Sequence, residues 1–157
     1  MSSNVLALYR RITRWPLGHW LFSRAVCQKA PYFATIRPRF VMLEPGRCAV
    51  RIRDRRAVHN HIGTVHAIAL CNLAELSAGV MTDVSIPASM RWIPRGMSVE
   101  YLAKATGTMH AVATPEAPAV EATSGYAWPA RVSVRNDAGE EVVRARIDMW
   151  VSPRGAR

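Results

Sequence analysis

Residues 67 to 81, AIALCNLAELSAGVM, are apolar on nearly every side of a helix and carry one charge, Glu75. A helix of that kind must be wrapped by other parts of the protein or by lipid, and this one falls short of the about 18 uncharged apolar residues that span a bilayer. The neighbouring sequence supplies the wrapping. Before the helix, Cys48, Val50 and Ile52 alternate with Arg51 and Arg53 after a turn at Pro45 and Gly46, which reads as a half-buried strand. After it the alternation returns. Met97, Val99, Tyr101 and Ala103 oppose Ser98, Glu100, Leu102 and Lys104; residues 108 to 114 make a short run; 131 to 135 read RVSVR. Val143, Ala145, Ile147, Met149 and Val151 then face away from Arg144, Arg146, Asp148 and Trp150, with NDAG at 136 to 139 as a hairpin turn. A strand, a buried helix and a run of antiparallel strands make an α+β fold, a curved antiparallel sheet around one long central helix.

Residues 4 to 28 mix apolar and basic residues at helical spacing, with Pro16 and Gly18 breaking them into two short helices. Such a segment either docks on the protein's own sheet or lies on a membrane surface; the docked arrangement is the expectation. The loop PEAPAVEATSG, 115 to 125, is expected to be mobile. With 157 residues the chain fits one domain with a real core. Its three cysteines, Cys27, Cys48 and Cys71, form no CxxC spacing, so a reducing cytoplasmic location is expected, and Cys71 reads as a small core residue. A formal charge of +10 points to an anionic partner. Nucleic acid is not indicated, because the five tryptophans are scattered and no recognition helix or aromatic platform stands out.

The helix is approached through VHNHIGTVHA, residues 58 to 67, with three histidines in eight positions. His59, His61 and His66 are candidate zinc ligands by type, but the loop has no HExxH and no carboxylate, so no metal site is expected. Glu75 needs a reason in so apolar a helix: a structural ion pair, or a base or nucleophile tuned by burial. His66 and Glu75 are nine residues apart, so they point in opposite directions, about 13 Å apart along the axis. They serve one site only if the helix entrance comes from one subunit and the glutamate from another, as in a twofold dimer with antiparallel central helices. Asn72 lies one turn before Glu75 and either holds its carboxylate or satisfies packing.

The string Asn60, Gly63, His66, Glu75, spaced NxxGxxH with a carboxylate nine positions on, resembles the hotdog-fold thioesterases of the phenylacetyl-CoA thioesterase-like branch. The run APYFATIRPRF, LEPG, HNHIGTVHAIALCNLAELSAG and VEYLAKATG is similar to a bacterial branch of that superfamily catalogued as a domain of unknown function. The resemblance covers about residues 29 to 152 and implies a hotdog domain at 29–153, following the N-terminal helical segment that the residue spacing gives at 1–28. It further implies a homodimer or homotetramer hydrolysing acyl-CoA thioesters at the subunit interface, with coenzyme A entering only as part of the substrate. The backbone N–H of Ala67, beside His66, would polarise the thioester carbonyl; Asn60 would orient water or substrate, with Gly63, Thr64 and Asn72 in supporting places. Glu75 from the partner chain would act as general base or as nucleophile. Two departures stand out: HAI replaces the family's HGG, and Gly79 stands where many relatives carry a hydroxyl residue after the carboxylate. Both leave room for a protein that binds acyl groups without hydrolysing them. The hotdog dehydratases are excluded by the absence of an HFPxxPxxPG context. The basic run RIRDRR at 51 to 56, with Arg91 and Arg95, has the chemistry to hold coenzyme A phosphates or to form a solvated strand face.

Overall fold

Gly46, at φ +80°, reverses the chain between β1 (Arg39–Glu44) and β2 (Arg47–Ile52) and starts the sheet. The computed structural model describes residues 2–155. It adds β3 (Met90–Tyr101), β4 (Met109–Pro115), β5 (Tyr126–Arg135) and β6 (Glu141–Pro153). The six strands form one antiparallel sheet in the order β1-β2-β4-β5-β6-β3, so β1 and β3 are its edges. The alternating residues fall as their pattern requires: Cys48, Val50 and Ile52 on β2 and Val143, Ala145, Ile147, Met149 and Val151 on β6 are all buried. Two parts of the sheet were not read from sequence. β1 was missed because its burial pattern is broken by a register shift between Phe40 and Met42, and β3 begins at Met90, seven residues before its alternation becomes visible.

One helix, α3 (Ala67–Ser85), touches every strand. Leu73, Leu76 and Met81 are fully buried beneath it, each contributing about 1.5–3 kcal/mol by leaving water. Its buried hydroxyls are satisfied locally: Ser77 donates to the carbonyl of Leu73 at 3.0 Å and Thr82 to that of Ala78 at 2.7 Å. Among the described residues α3 alone is long and apolar enough to cross a membrane, and 61% of its apolar window is buried inside the protein, as befits a core helix.

Two further helices, α1 (Ser2–Ile12) and α2 (Gly18–Lys29), dock on the β1 edge. Tyr9, Phe22 and Phe40 stack edge to face with centroids 5.0 and 5.1 Å apart. Ser23 Oγ accepts the Phe40 N–H at 2.9 Å, and the Tyr9 hydroxyl donates to the Val41 carbonyl at 3.3 Å. The corner between the helices requires Gly18, since a Cβ there would lie 2.1 Å from the Ile12 carbonyl oxygen.

The 116–125 loop is tied down rather than free. Glu116 pairs with Arg131 and Arg146, Trp128 Nε1 donates to the Ala117 carbonyl at 2.8 Å, and Tyr126 is bonded to both backbone groups of Val120. Gly125 fits beneath the Trp150 ring, where a Cβ would come within 2.7 Å. The partners are strand residues, on β5 directly after the loop and on β6 at Arg146, so loop composition alone does not reveal them.

Candidate active site

The entrance to α3 is a turn built by Asn60. Its Oδ1 accepts the N–H groups of Ile62 and Thr64, both at 3.1 Å, and its Nδ2 donates to Thr64 Oγ1 at 2.8 Å. Gly63 sits at φ +78° with open space around it, so backbone conformation, not crowding, selects glycine there. Asn60 is therefore a turn-builder first; its carbonyl is spent within the loop, leaving one amide hydrogen. His66 is the N-cap of α3, its Nδ1 accepting the Ile68 N–H at 3.0 Å. That bond fixes the neutral tautomer with the proton on Nε2, which leaves the ring a donor at its outer edge.

Capping by His66 satisfies Ile68 and leaves the N–H of Ala67 with no protein acceptor among the described residues. Ala67 lines a shallow depression of about 280 Å³ with Asn60, Thr64, Leu70 and Tyr101. An unpaired N–H in the first turn of a 19-residue helix favours negative charge through both its own dipole and the helix's.

His59 is not free to bind a metal with its neighbours. Its Nε2 pairs with Asp54, whose other oxygen accepts the Gly107 N–H at 2.8 Å. The carboxylate missing from the loop thus comes from the end of β2. The hydrogen bond to His59 holds Asp54 below its ordinary value. Among the described residues no three His, Cys, Asp or Glu side chains are grouped as a metal site would need.

Glu75 departs from the expectation of a buried carboxylate. It is exposed on the single chain, and no salt bridge or side-chain hydrogen bond among the described residues reaches it. It shares a stripe with Ile68, 57% exposed, and Cys71, which is half-buried rather than in the core. Cys71 Sγ lies 3.2 Å from the Tyr101 hydroxyl, and this bond pushes the Tyr101 pKa up to about 12, keeping the phenol protonated. Asn72 does not hold Glu75 either. It is buried and turned inward, donating to Thr35 Oγ1 at 3.3 Å with its Oδ1 unpartnered. Three residues on a helix differ by about 60° in direction, enough to put Asn72 inside and Glu75 outside. Gly79 meets the Trp92 ring of β3, leaving no room for a hydroxyl-bearing side chain.

Tyr101 and Cys71 are the site residues that sequence reasoning passed over. Tyr101 stands at the last position of β3, in the alternation of Met97 and Val99, and only the tertiary fold brings it to α3. The stripe of Ile68, Cys71 and Glu75 is flanked by β3 at both ends, Tyr101 at one and Trp92 at the other. Along β3, Ile93, Met97, Tyr101 and the following Leu102 are exposed.

A six-stranded antiparallel sheet wound on one long helix is the hotdog fold, as comparison with solved structures shows. Residues 18–151 match the family described as a domain of unknown function, DUF4442, and the chain belongs to that family. A genomics protein designated APC5556 is 50% identical, with a TM-score of 0.79 over 98% of this chain and 99% of that one. The thioesterase HI1161 of Haemophilus influenzae is 11% identical, with a TM-score of 0.72 over 85% of this chain and 90% of that one. A thioesterase family protein of Silicibacter pomeroyi is 18% identical, with a TM-score of 0.68 over 84% and 96%. The last two likenesses are of fold. No curated protein matches the chain.

Proposed function

We propose that the protein is an acyl-CoA thioesterase working as a homodimer or higher homo-oligomer. The observation that carries this reading is the unpartnered Ala67 N–H at the head of α3, opening on the depression that Asn60, Thr64 and Tyr101 also line. A thioester carbonyl placed there gains charge on oxygen as the carbonyl carbon is attacked, and a fixed N–H at a helix N-terminus stabilises that charge. The exposed, unpaired Glu75 supports a partner-supplied carboxylate, because its stripe lies beside the uncovered edge strand β3, where Met97 and Tyr101 are exposed. In the reaction, Glu75 of a second subunit takes a proton from water as the water oxygen bonds to the carbonyl carbon. The tetrahedral intermediate then expels the thiolate, which takes a proton, giving free acid and coenzyme A. Direct attack by Glu75, through an anhydride that water then opens, gives the same products. His66 holds the entrance as cap, and Asn60 keeps one amide hydrogen for substrate.

The test is free-thiol release from a panel of short, medium, long-chain and aromatic acyl-CoAs by the folded protein; absence of release from every member would sink the proposal. A second reading, an acyl-binding hotdog protein without turnover, is favoured by Ile68, exposed beside the entrance where the superfamily motif has glycine, and by the commitment of the Asn60 carbonyl to its own turn. Saturable acyl-CoA binding with no thiol release would select it.

A further inference from the structure

We propose that a cavity between α2 and the outer side of β1 and β2 is a binding site for a ligand carrying two or more phosphate groups. The cavity measures about 630 Å³ and is walled by Arg24, Arg37, Arg39, Arg51, Arg53 and Arg55. That volume is in the range of small-molecule sites. Its walls share no residue with the depression at the helix entrance, so the proposal does not rest on the thioesterase reading.

Charge is the main argument. Among the described residues none of the six arginines is in a salt bridge, and only Arg55 uses its guanidinium in a hydrogen bond, to the Thr35 carbonyl at 2.5 Å. The one carboxylate in the wall, Asp54, is already committed to His59 and to the Gly107 N–H. Arg39 and Arg51 are direct cross-strand partners in the β1–β2 register. Like charges placed opposite each other in a sheet are destabilising. Arg37, at φ +47°, ends the short helical turn of residues 31–36 with its N–H on the Ala34 carbonyl at 3.1 Å, and so sets its side chain in the cavity wall. Burial and the nearby Arg37 both hold Arg55 below its ordinary value, a further sign of crowded cations.

An arrangement that costs stability in the empty protein is relieved by an anion. A guanidinium fork matches phosphate oxygens in paired hydrogen bonds. One phosphate monoester brings about two negative charges at neutral pH, too few for six arginines, whereas a bisphosphate or diphosphate approaches balance. Trp20, with Arg24 placed 5.8 Å from its ring centroid, gives the cavity one flat wall beside the cations. Two sources present this chemistry: a soluble nucleotide, such as the bisphosphate end of coenzyme A, or an anionic lipid headgroup.

Isothermal titration calorimetry on the full chain with pyrophosphate, adenosine 3′,5′-bisphosphate and sulfate tests the site. The two phosphate ligands are expected to bind one per chain, at least about tenfold tighter than sulfate, a difference of about 1.4 kcal/mol. Arg39→Gln with Arg51→Gln should weaken both by at least about tenfold, Arg53→Gln by less, and Arg47→Gln, on β2 but outside the cavity wall, not at all. Circular dichroism verifies folding, and the double variant should melt no lower than the parent because a repulsion has been removed. Co-sedimentation with cardiolipin–phosphatidylcholine vesicles, whose anionic headgroup carries two phosphates, separates the sources. Vesicle binding displaced by pyrophosphate and lost in the double variant assigns a lipid headgroup; bisphosphate binding without vesicle association assigns a soluble nucleotide. The proposal is overturned if pyrophosphate and adenosine 3′,5′-bisphosphate bind no tighter than sulfate, or if the double variant binds them as the parent does.

Discussion

The two edges of the sheet are treated in opposite ways. At β1 the free backbone groups are met by side chains from the N-terminal helices, Ser23 receiving the Phe40 N–H and Tyr9 reaching the Val41 carbonyl, and aromatic rings fill the space between. At β3 no described element covers the strand, although Ile93, Met97 and Tyr101 are exposed along it. An uncovered apolar edge is a template for pairing with another strand. Beside it lies the exposed stripe of α3, with Glu75 unpaired among apolar neighbours. One side of the molecule is finished within the chain. The other is uncovered among the described residues, and the proposed subunit contact and chemistry fall there.

This division predicts separable consequences. The largest is expected on the bare side: Glu75→Gln should lower the rate of acyl-CoA hydrolysis by about 100-fold or more, with oligomeric state and melting temperature unchanged; a variant of full activity removes Glu75 from the mechanism. Met97→Asp, which places a charge on the uncovered strand, should shift the protein from dimer to monomer in light scattering and take most of the activity with it. If the variant stays dimeric, β3 is not the interface. On the covered side, Ser23→Ala leaves the buried Phe40 N–H without an acceptor and should cost about 1–3 kcal/mol in chemical denaturation, while the rate constant of the folded protein stays unchanged. Loss of rate together with stability would blur the two sides.

The smallest effect concerns acid. His59 holds the carboxyl of Asp54, and His110 that of Asp137, below the ordinary value of 3.8. Each also accepts a backbone N–H, from Gly107 and Thr108 respectively. Because the folded values are depressed, the stabilisation is present above the unfolded value and is lost as pH falls through the folded one. Asp54→Asn should therefore make the unfolding free energy less dependent on pH below about 4. An unchanged slope would mean that the contact contributes nothing.

The core was legible because its physics is periodic. The alternation of β2 and β6 and the all-round apolarity of α3 named the buried residues before any coordinates. What periodicity does not carry is the direction of one side chain within an apolar helix: spacing puts Asn72 and Glu75 on one face and Cys71 in the core, whereas the fold turns Asn72 inward and leaves Glu75 exposed and Cys71 half-buried. Nor does it reveal pairings between distant segments: the bond from Tyr101 to Cys71 spans 30 residues, and Glu116 and Arg146 are equally far apart in sequence. The spacing leaves His66 as either the cap of the helix or a substrate contact, and the fold makes it the cap; nothing in the spacing indicates that the Asn60 carbonyl closes the turn. Those roles depend on which backbone groups lack partners, a property of the folded chain.

Gly79 and Trp92 also constrain how this chain can change over generations. A Cβ at position 79 would lie 2.9 Å from the Trp92 ring, so neither residue is free to vary alone. Placing a serine or threonine at position 79 would require the Trp92 ring to shift or to shrink, and reducing Trp92 alone would open a hole beside the helix. Each single step is expected to be worse than both ends of the path. The pair is an epistatic lock, in which two substitutions must come together.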